Sequence, residues 1–171
     1  MSIRPARPHD AHLLPAIERS AAEAFLAVER LAWVAAHEVL SVEEHLGFID
    51  KGLLWVAVDE QDQPLGFLCA SVQDGGVHID ELSVALCHQG QGLGRALIAC
   101  VEAWAQAQGF TALTLTTFRE VPWNAPFYAR LGFVCLDNGE LQGFLRQQIA
   151  HEHALGLPGR CAMRKALPVP A

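Results

Sequence analysis

A single tyrosine, two methionines and a charged fraction of only 18% leave this 171-residue chain poor in several chemistries at once. Twelve Lys and Arg residues stand against nineteen Asp and Glu, a formal net charge of −7, and the basic residues form no run or stripe. Such a balance gives a polyanion nothing to hold, so no nucleic acid is expected as a partner. No apolar run approaches the roughly 18–20 residues of a bilayer span, which argues against a membrane partner. The opening MSIRPARPHD lacks the apolar core of a signal peptide, so a cytoplasmic protein is expected. Cys69, Cys87, Cys100, Cys135 and Cys161 form no C-x-x-C pair and mostly sit inside apolar strand or helix patterns. They read as reduced core thiols rather than a metal site or a disulfide framework. With no repeat, linker or low-complexity tract, one domain over residues 1–171 is expected.

What the chain does have is concentrated between Val77 and Leu97. Val77 to Val84 is rich in β-branched and apolar residues, and from Leu93 the apolar positions Leu93, Leu97, Val101 and Trp104 recur at helical spacing. Between them lies Gln89-Gly90-Gln91-Gly92-Leu93-Gly94. Its glycines let the main chain approach a ligand and turn N–H groups inward, at the positive end of the helix that follows. That is a ready anion site, and a pyrophosphate fits it best. Neither common phosphate loop accounts for it. The nucleotide-binding lysine loop needs Gly-Lys-Ser/Thr, but Gly94 is followed by Arg95 and Ala96. A dinucleotide fingerprint from Gly90 would need glycine or alanine where Arg95 stands.

Gln89, Gly92 and Gly94 do match the pattern Q/R-x-x-G-x-G/A, and downstream Asn124-Ala-Pro-Phe-Tyr128 with Gly132-Phe133 fits N-x-x-F/Y-Y-x-x-x-G-F. By these two motifs the chain resembles the GNAT superfamily of acetyl-CoA-dependent N-acetyltransferases. The resemblance implies an α/β fold: a mixed central sheet of about seven strands, flanked by helices and splayed at the central strand. It also implies acetyl-CoA as co-substrate, with the pyrophosphate on the main chain of Gln89, Gly90, Gln91, Gly92, Leu93, Gly94 and Arg95. Leu82, Ser83 and Val84 are expected beside the thioester, and Asn124 and Phe127 along the pantetheine arm. Gln89 stands where the family often has arginine, which weakens charge-based phosphate binding but leaves the amide contacts.

Taken in order, Ser2 to Ala6 reads as a strand, and Asp10 as the cap of a helix with Pro15 near its first turn. Ser41-Val-Glu-Glu44 is a capping box for a second helix ended by Gly52, and by resemblance residues 25–41 line the acceptor pocket. Two apolar runs, 53–59 and 65–72, form a hairpin. In the central strand the alternation slips phase across Asp80-Glu81, as a β-bulge would require, or else the strand is buried on both faces. Helix 92–108 stops at Gly109, and Thr111 to Thr116 follows as a strand parallel to its predecessor. Asn124 reads as a cap for a short helix, ahead of a strand from Phe133 to Leu136. Leu141 to Ala154 reads as an inserted helix, with Leu141, Phe144, Leu145, Gln148 and Ile149 on one face; Arg160 to Leu167 returns as a strand before a fraying tail.

Acetyl transfer needs a neutral amine and a proton for the departing thiolate. Glu81 is the expected base, because a bulge can aim it into the cleft; Asp80 is second, and either could instead satisfy main-chain groups. Tyr128 aligns with the family's general acid. His151 and His153, two apart on a helix, face different ways and make no metal pair, so no metal is expected. Trp33, Trp55 and Trp123 read mostly as core. The leading function is transfer of acetyl to a primary amine on a small, cationic molecule, which an acidic surface suits. Alternatives are a protein N-terminal or lysine acetyltransferase and an acyl-CoA sensor without turnover. A homodimer is compatible with all of these.

Overall fold

In the computed structural model, which describes residues 1–168, seven strands form one mixed sheet in the order β1-β2-β3-β4-β5-β7-β6. The strands are β1 (Ser2–Pro5), β2 (Leu54–Val58), β3 (Pro64–Gln73), β4 (Gly76–Val84), β5 (Ala112–Phe118), β6 (Val134–Cys135) and β7 (Arg160–Ala166). The helices are α1 (Leu14–Ala22), α2 (Val42–Asp50), α3 (Leu93–Ala107), α4 (Ala125–Ala129) and α5 (Gly143–Ala154). The expected mixed sheet and helices are therefore present, and none of the described helices is long and apolar enough to cross a membrane. The fraying expected of the proline-bearing tail falls largely outside the described residues.

Contacts group the chain into two units, one of Met1–Ala70 with Asp80–Val101, the other of Ser71–Ile79 with the chain from Glu102 on. In the first, β1 and β3 flank β2 antiparallel, in the registers Ile3↔Ala57 and Val56↔Phe67. Leu14 and Ile17 of α1 pack on Leu54, Val56, Phe67 and Cys69, with Phe48 and Ile49 of α2 against the same core. α2 starts as its sequence dictates: Ser41 accepts from the Glu44 N–H at 3.2 Å and the Glu44 carboxylate accepts from the Ser41 N–H at 2.8 Å. Asp10 is not the N-cap of α1, which is Leu13; it sits instead in the 3-10 helix Pro8–His12, where its carboxylate accepts from the Arg7 N–H at 2.7 Å. It is buried, and Arg4 also grips both its oxygens, at 2.8 and 3.1 Å. Two 3-10 helices, Glu23–Ala27 and Glu29–Ala36, take up much of the stretch 25–41 expected to line the acceptor pocket, and leave Leu26 and Trp33 exposed.

In the second unit β5 pairs antiparallel with β7 along its length, from Ala112↔Ala166 to Phe118↔Arg160. Its parallel register with β4 is Val77↔Leu113 and His78↔Thr114, although β4 itself runs on to Val84. The ladder thus belongs to the first part of β4, and Asp80 and Glu81 lie past it. Val77, His78 and Ile79 are all buried, so this part of β4 is covered on both faces and needs no alternation. The inserted helix is present as α5. It is held by Glu152, which accepts from Thr116 Oγ1 at 2.5 Å and from Arg160 Nε at 2.8 Å. Burial favours a protonated Glu152, but Arg160, Thr116 and Gln148 outweigh it and hold the carboxyl below its ordinary range.

Candidate active site

The site residues fall in two sets, one on each unit. In the first unit β4 leads through Ala85 and a 3-10 turn, Leu86–His88, into the glycine loop and α3. Gly90 and Gly92 have φ of 76° and 84°, a region that favours glycine, and a Cβ built on either would meet nothing within 4 Å. The loop is therefore open to a ligand on the side its glycines present. Within α3 the Ala96 N–H reaches the Gly92 carbonyl at 3.0 Å, and helix geometry leaves the amides just ahead of it without an intrahelical acceptor. Leu93 and Leu97 are buried and anchor the helix end, while Arg95 is exposed beside the loop. The Gln89 side chain turns back instead of outward: its Nε2 donates to the Val84 carbonyl at 3.0 Å and ties the loop to the end of β4. These residues fit a diphosphate through main-chain amides, with Gln89 acting as a brace.

Glu81 is half-buried on β4 and Asp80 is exposed. Ser83, buried two residues further along the same face, donates its hydroxyl to Glu81 Oε1 at 2.8 Å. That bond orients the carboxylate. Close to it lies the Cys69 thiol, which burial and the charges of Glu81, Asp80 and Glu18 hold protonated, well above the ordinary thiol value. Sequence reasoning placed Ser83 only as main chain and missed Glu18 of α1 altogether. Glu18 Oε2 accepts the Leu40 N–H at 3.1 Å.

In the second unit α4 carries Asn124, Phe127 and Tyr128 together. The Tyr128 ring packs edge-on against Phe127 and Phe133, with centroids 5.1 and 5.8 Å away. Its main chain is fixed as well: its N–H donates to the Asn124 carbonyl at 3.1 Å, and its own carbonyl accepts from Phe133 N–H at 3.1 Å. Asn124 does not use its side chain as a cap. Its Oδ1 accepts instead from the buried Thr117 hydroxyl at 2.7 Å and from Phe118 N–H at 3.4 Å, joining α4 to β5. A bond to a residue seven positions back left no mark in the local pattern. Trp123 and Trp33, expected mostly in the core, are exposed, whereas Trp55 is buried.

The sequence model of the Acetyltransferase (GNAT) family matches residues 15–133, well over half of the chain. The chain belongs to that family. Consistently, it is 32% identical over 127 residues to the peptidyl-lysine N-acetyltransferase YjaB of Salmonella typhimurium, covering 70% of this chain and 81% of that protein. The YjaB of Escherichia coli is also 32% identical, over 114 residues, covering 63% and 71%. Among solved structures, the PaiA N-acetyltransferase of Thermoplasma acidophilum in complex with coenzyme A superposes with a TM-score of 0.71 at 18% identity, covering 96% of this chain and 98% of that one. The family match and the curated relatives make this chain a GNAT N-acetyltransferase.

Proposed function

We propose that this GNAT enzyme moves the acetyl group of acetyl-CoA to a primary alkylamine that arrives as an ammonium ion, with Glu81 as base and Tyr128 as acid. One observation carries the reading: a half-buried carboxylate, oriented by the Ser83 hydroxyl at 2.8 Å, stands on the strand that leads into the glycine loop. An alkylamine of pKa near 10.4 must lose a proton at pH 7 against roughly 4–5 kcal/mol, and a fixed carboxylate is the economical acceptor. Acetyl-CoA supplies the thioester carbonyl that the amine attacks. Main-chain N–H groups from Gly90 to Arg95 hold its diphosphate, with the Arg95 side chain alongside; the Gln89 N–H, expected among them, already donates to the Leu86 carbonyl at 3.3 Å. The main chain of Leu82, Ser83 and Val84 lies along the acyl end, where an amide polarises the carbonyl. Phe127 and Asn124 take the pantetheine arm; because Asn124 Oδ1 is engaged by Thr117, that role falls to its NH2 group. Tyr128 gives a proton to the departing thiolate.

The net charge of −7 suits a small cationic acceptor. A second reading, a lysine side chain of a protein, is favoured by the peptidyl-lysine activity named for both YjaB relatives. The lysine amine presents the same chemistry to Glu81. One assay separates them: thiol release from acetyl-CoA with polyamines, amino acid amides and lysine peptides in parallel, the products identified by mass spectrometry. Amine-dependent thiol release is expected, falling by about 100-fold or more in Glu81→Gln and by about tenfold in Tyr128→Phe. Coenzyme A binding with no release on any amine would refute the reading and make the chain an acyl-CoA sensor.

A further inference from the structure

Two of the cysteines touch. All five thiols are free, and Cys135 Sγ lies 3.8 Å from Cys161 Sγ, close enough for contact and for a weak S–H···S hydrogen bond. Cys135 closes β6 and stands opposite Met163, while Cys161 lies two residues before Met163 on β7. Both side chains therefore leave the same face of the sheet, as a diagonal cross-strand pair. They differ in access: Cys161 is 3% exposed, whereas Cys135 is only half-buried, on the strand at the sheet edge. Burial, and then the Cys135 sulfur, push the Cys161 thiol up to about 12, so it keeps its proton at neutral pH.

The two strands are not equally free to move. Each of the seven residues of β7 is paired with β5, from Ala166 to Arg160. β6 pairs with β7 alone, at Val134↔Arg164 and Cys135↔Met163, and one further bond, from Leu136 N–H to the Ala162 carbonyl at 3.0 Å, continues it. A disulfide needs its sulfurs about 2.05 Å apart, so a bridge must close nearly half of the gap. Side-chain rotation supplies part of that, and the main-chain share falls on β6. That strand begins directly after Phe133, whose ring packs on Tyr128 with centroids 5.8 Å apart and whose N–H donates to the Tyr128 carbonyl at 3.1 Å. A pull on β6 is thus felt at the turn that holds Tyr128.

We propose that Cys135 and Cys161 are an oxidation site: hydrogen peroxide joins them in a reversible disulfide that ties the edge strand β6 to β7 and slows acetyl transfer. Peroxide reaches Cys135 first, because Cys161 is buried. The Cys135 sulfur attacks one peroxide oxygen and the O–O bond breaks; the sulfur becomes a sulfenic acid, and the other oxygen leaves as water with the thiol proton. The Cys161 sulfur, already in contact, then attacks the Cys135 sulfur. The S–S bond forms as the S–O bond breaks, and the departing hydroxide takes the Cys161 proton as a second water. Two thiols have given up two electrons and the peroxide has gained them. A small dithiol reverses the step by thiol–disulfide exchange. The slowing of transfer rests on the acid role proposed above for Tyr128; the bridge itself does not.

The test treats the full chain with a few equivalents of hydrogen peroxide, blocks the remaining thiols with N-ethylmaleimide and digests with trypsin in the absence of reductant. Cleavage after Arg130, Arg146, Arg160 and Arg164 leaves Cys135 in peptide 131–146 and Cys161 in peptide 161–164. Mass spectrometry is expected to find these two joined, lighter than their sum by two hydrogens, and parted by dithiothreitol. In Cys161→Ala the Cys135 sulfenic acid has nothing to resolve it, so dimedone is expected to label Cys135 there and not in wild type. Recovery of the two peptides unlinked, or dimedone on Cys135 in wild type as in the variant, would overturn the couple. Amine acetylation by the oxidised chain, read from the product mass, is expected to fall by roughly three- to tenfold and to return with dithiothreitol, a response that Cys135→Ser and Cys161→Ala lack. A bridged chain with unchanged turnover would overturn the pull on the Tyr128 turn. Should Tyr128→Phe prove as active as wild type, the acid reading fails by itself and the peptide map alone decides the oxidation site.

Discussion

Gly66 is the position where one added methyl should reach the cofactor site without touching it. It lies in β3 opposite Ala57, and a Cβ built on it would stand 2.8 Å from the Ser83 carbonyl oxygen, 3.0 Å from Val84 Cγ2 and 3.2 Å from Val84 Cα. Most of what it would meet is main chain, which cannot swing aside as a side chain can. Inserting a methyl into such a place costs about 1–3 kcal/mol, set against about 0.4–1 kcal/mol gained because alanine stiffens the unfolded chain. A net loss of about 1–2 kcal/mol in a domain of this size lowers Tm by about 2–8 °C. The displaced end of β4 carries Ser83, which orients Glu81, and the Val84 carbonyl, which Gln89 grips to brace the loop. Gly66→Ala should therefore weaken coenzyme A binding by about tenfold in a calorimetric titration, besides lowering Tm. Gly47→Ala is the control: Gly47 lies inside α2 with nothing within 4 Å of a built Cβ, and there alanine should add about 0.5–1 kcal/mol through helix propensity. If Gly66→Ala melts at or above wild type and binds coenzyme A as tightly, the close approach of β3 and β4 does not shape this site.

His78 is buried, with Nδ1 3.0 Å from Thr114 Oγ1 and its ring edge-on to Phe144. Burial pulls its pKa down to about 4, with Glu152 opposing only in part. Its folded pKa lies below the unfolded 6.5, so the unfolded chain takes the proton first. The stability of the neutral, buried ring is complete above pH 6.5 and lost as pH falls toward 4, for a total of roughly 3 kcal/mol. Urea midpoints of wild type and His78→Gln at pH 7.5, 5.5 and 4 should fall more steeply in wild type than in the variant, which keeps only the slope of the other groups, the buried His45 among them. Asn124→Ala leaves the buried Thr117 hydroxyl without its 2.7 Å acceptor and should cost about 1–3 kcal/mol, whereas Asn124→Asp, which keeps an acceptor oxygen, should cost less; paired thermal melts check this.

The parts of the site legible in the sequence are those whose cause is local. A strand running into Gly90 and Gly92 and then into a helix has no other economical geometry, and Ser41 with Glu44 closes a capping box within one turn. What escaped the sequence depends on partners far along the chain. Asn124 has the composition of a cap, yet its oxygen is claimed by Thr117, because a buried hydroxyl must find an acceptor while an exposed helix start can turn to water. Asp10 likewise looks like the cap of α1, but it takes the Arg7 N–H of the preceding 3-10 turn and the guanidinium of Arg4, a partner on β1 that the local pattern does not show. Gly66 carried a legible hint, since a glycine inside a strand pattern often marks another backbone at close quarters, but only the fold says that this backbone is Ser83 and Val84. Glu18 carried none: an acidic residue between Ile17 and Arg19 on an amphipathic helix is unremarkable until Leu40, 22 residues on, donates to it. The glycine motif marks the proposed diphosphate site, and Glu81 and Tyr128 were legible as the proposed base and acid; the bonds that fix their surroundings, Ser83 to Glu81 and Thr117 to Asn124, are seen only in the fold.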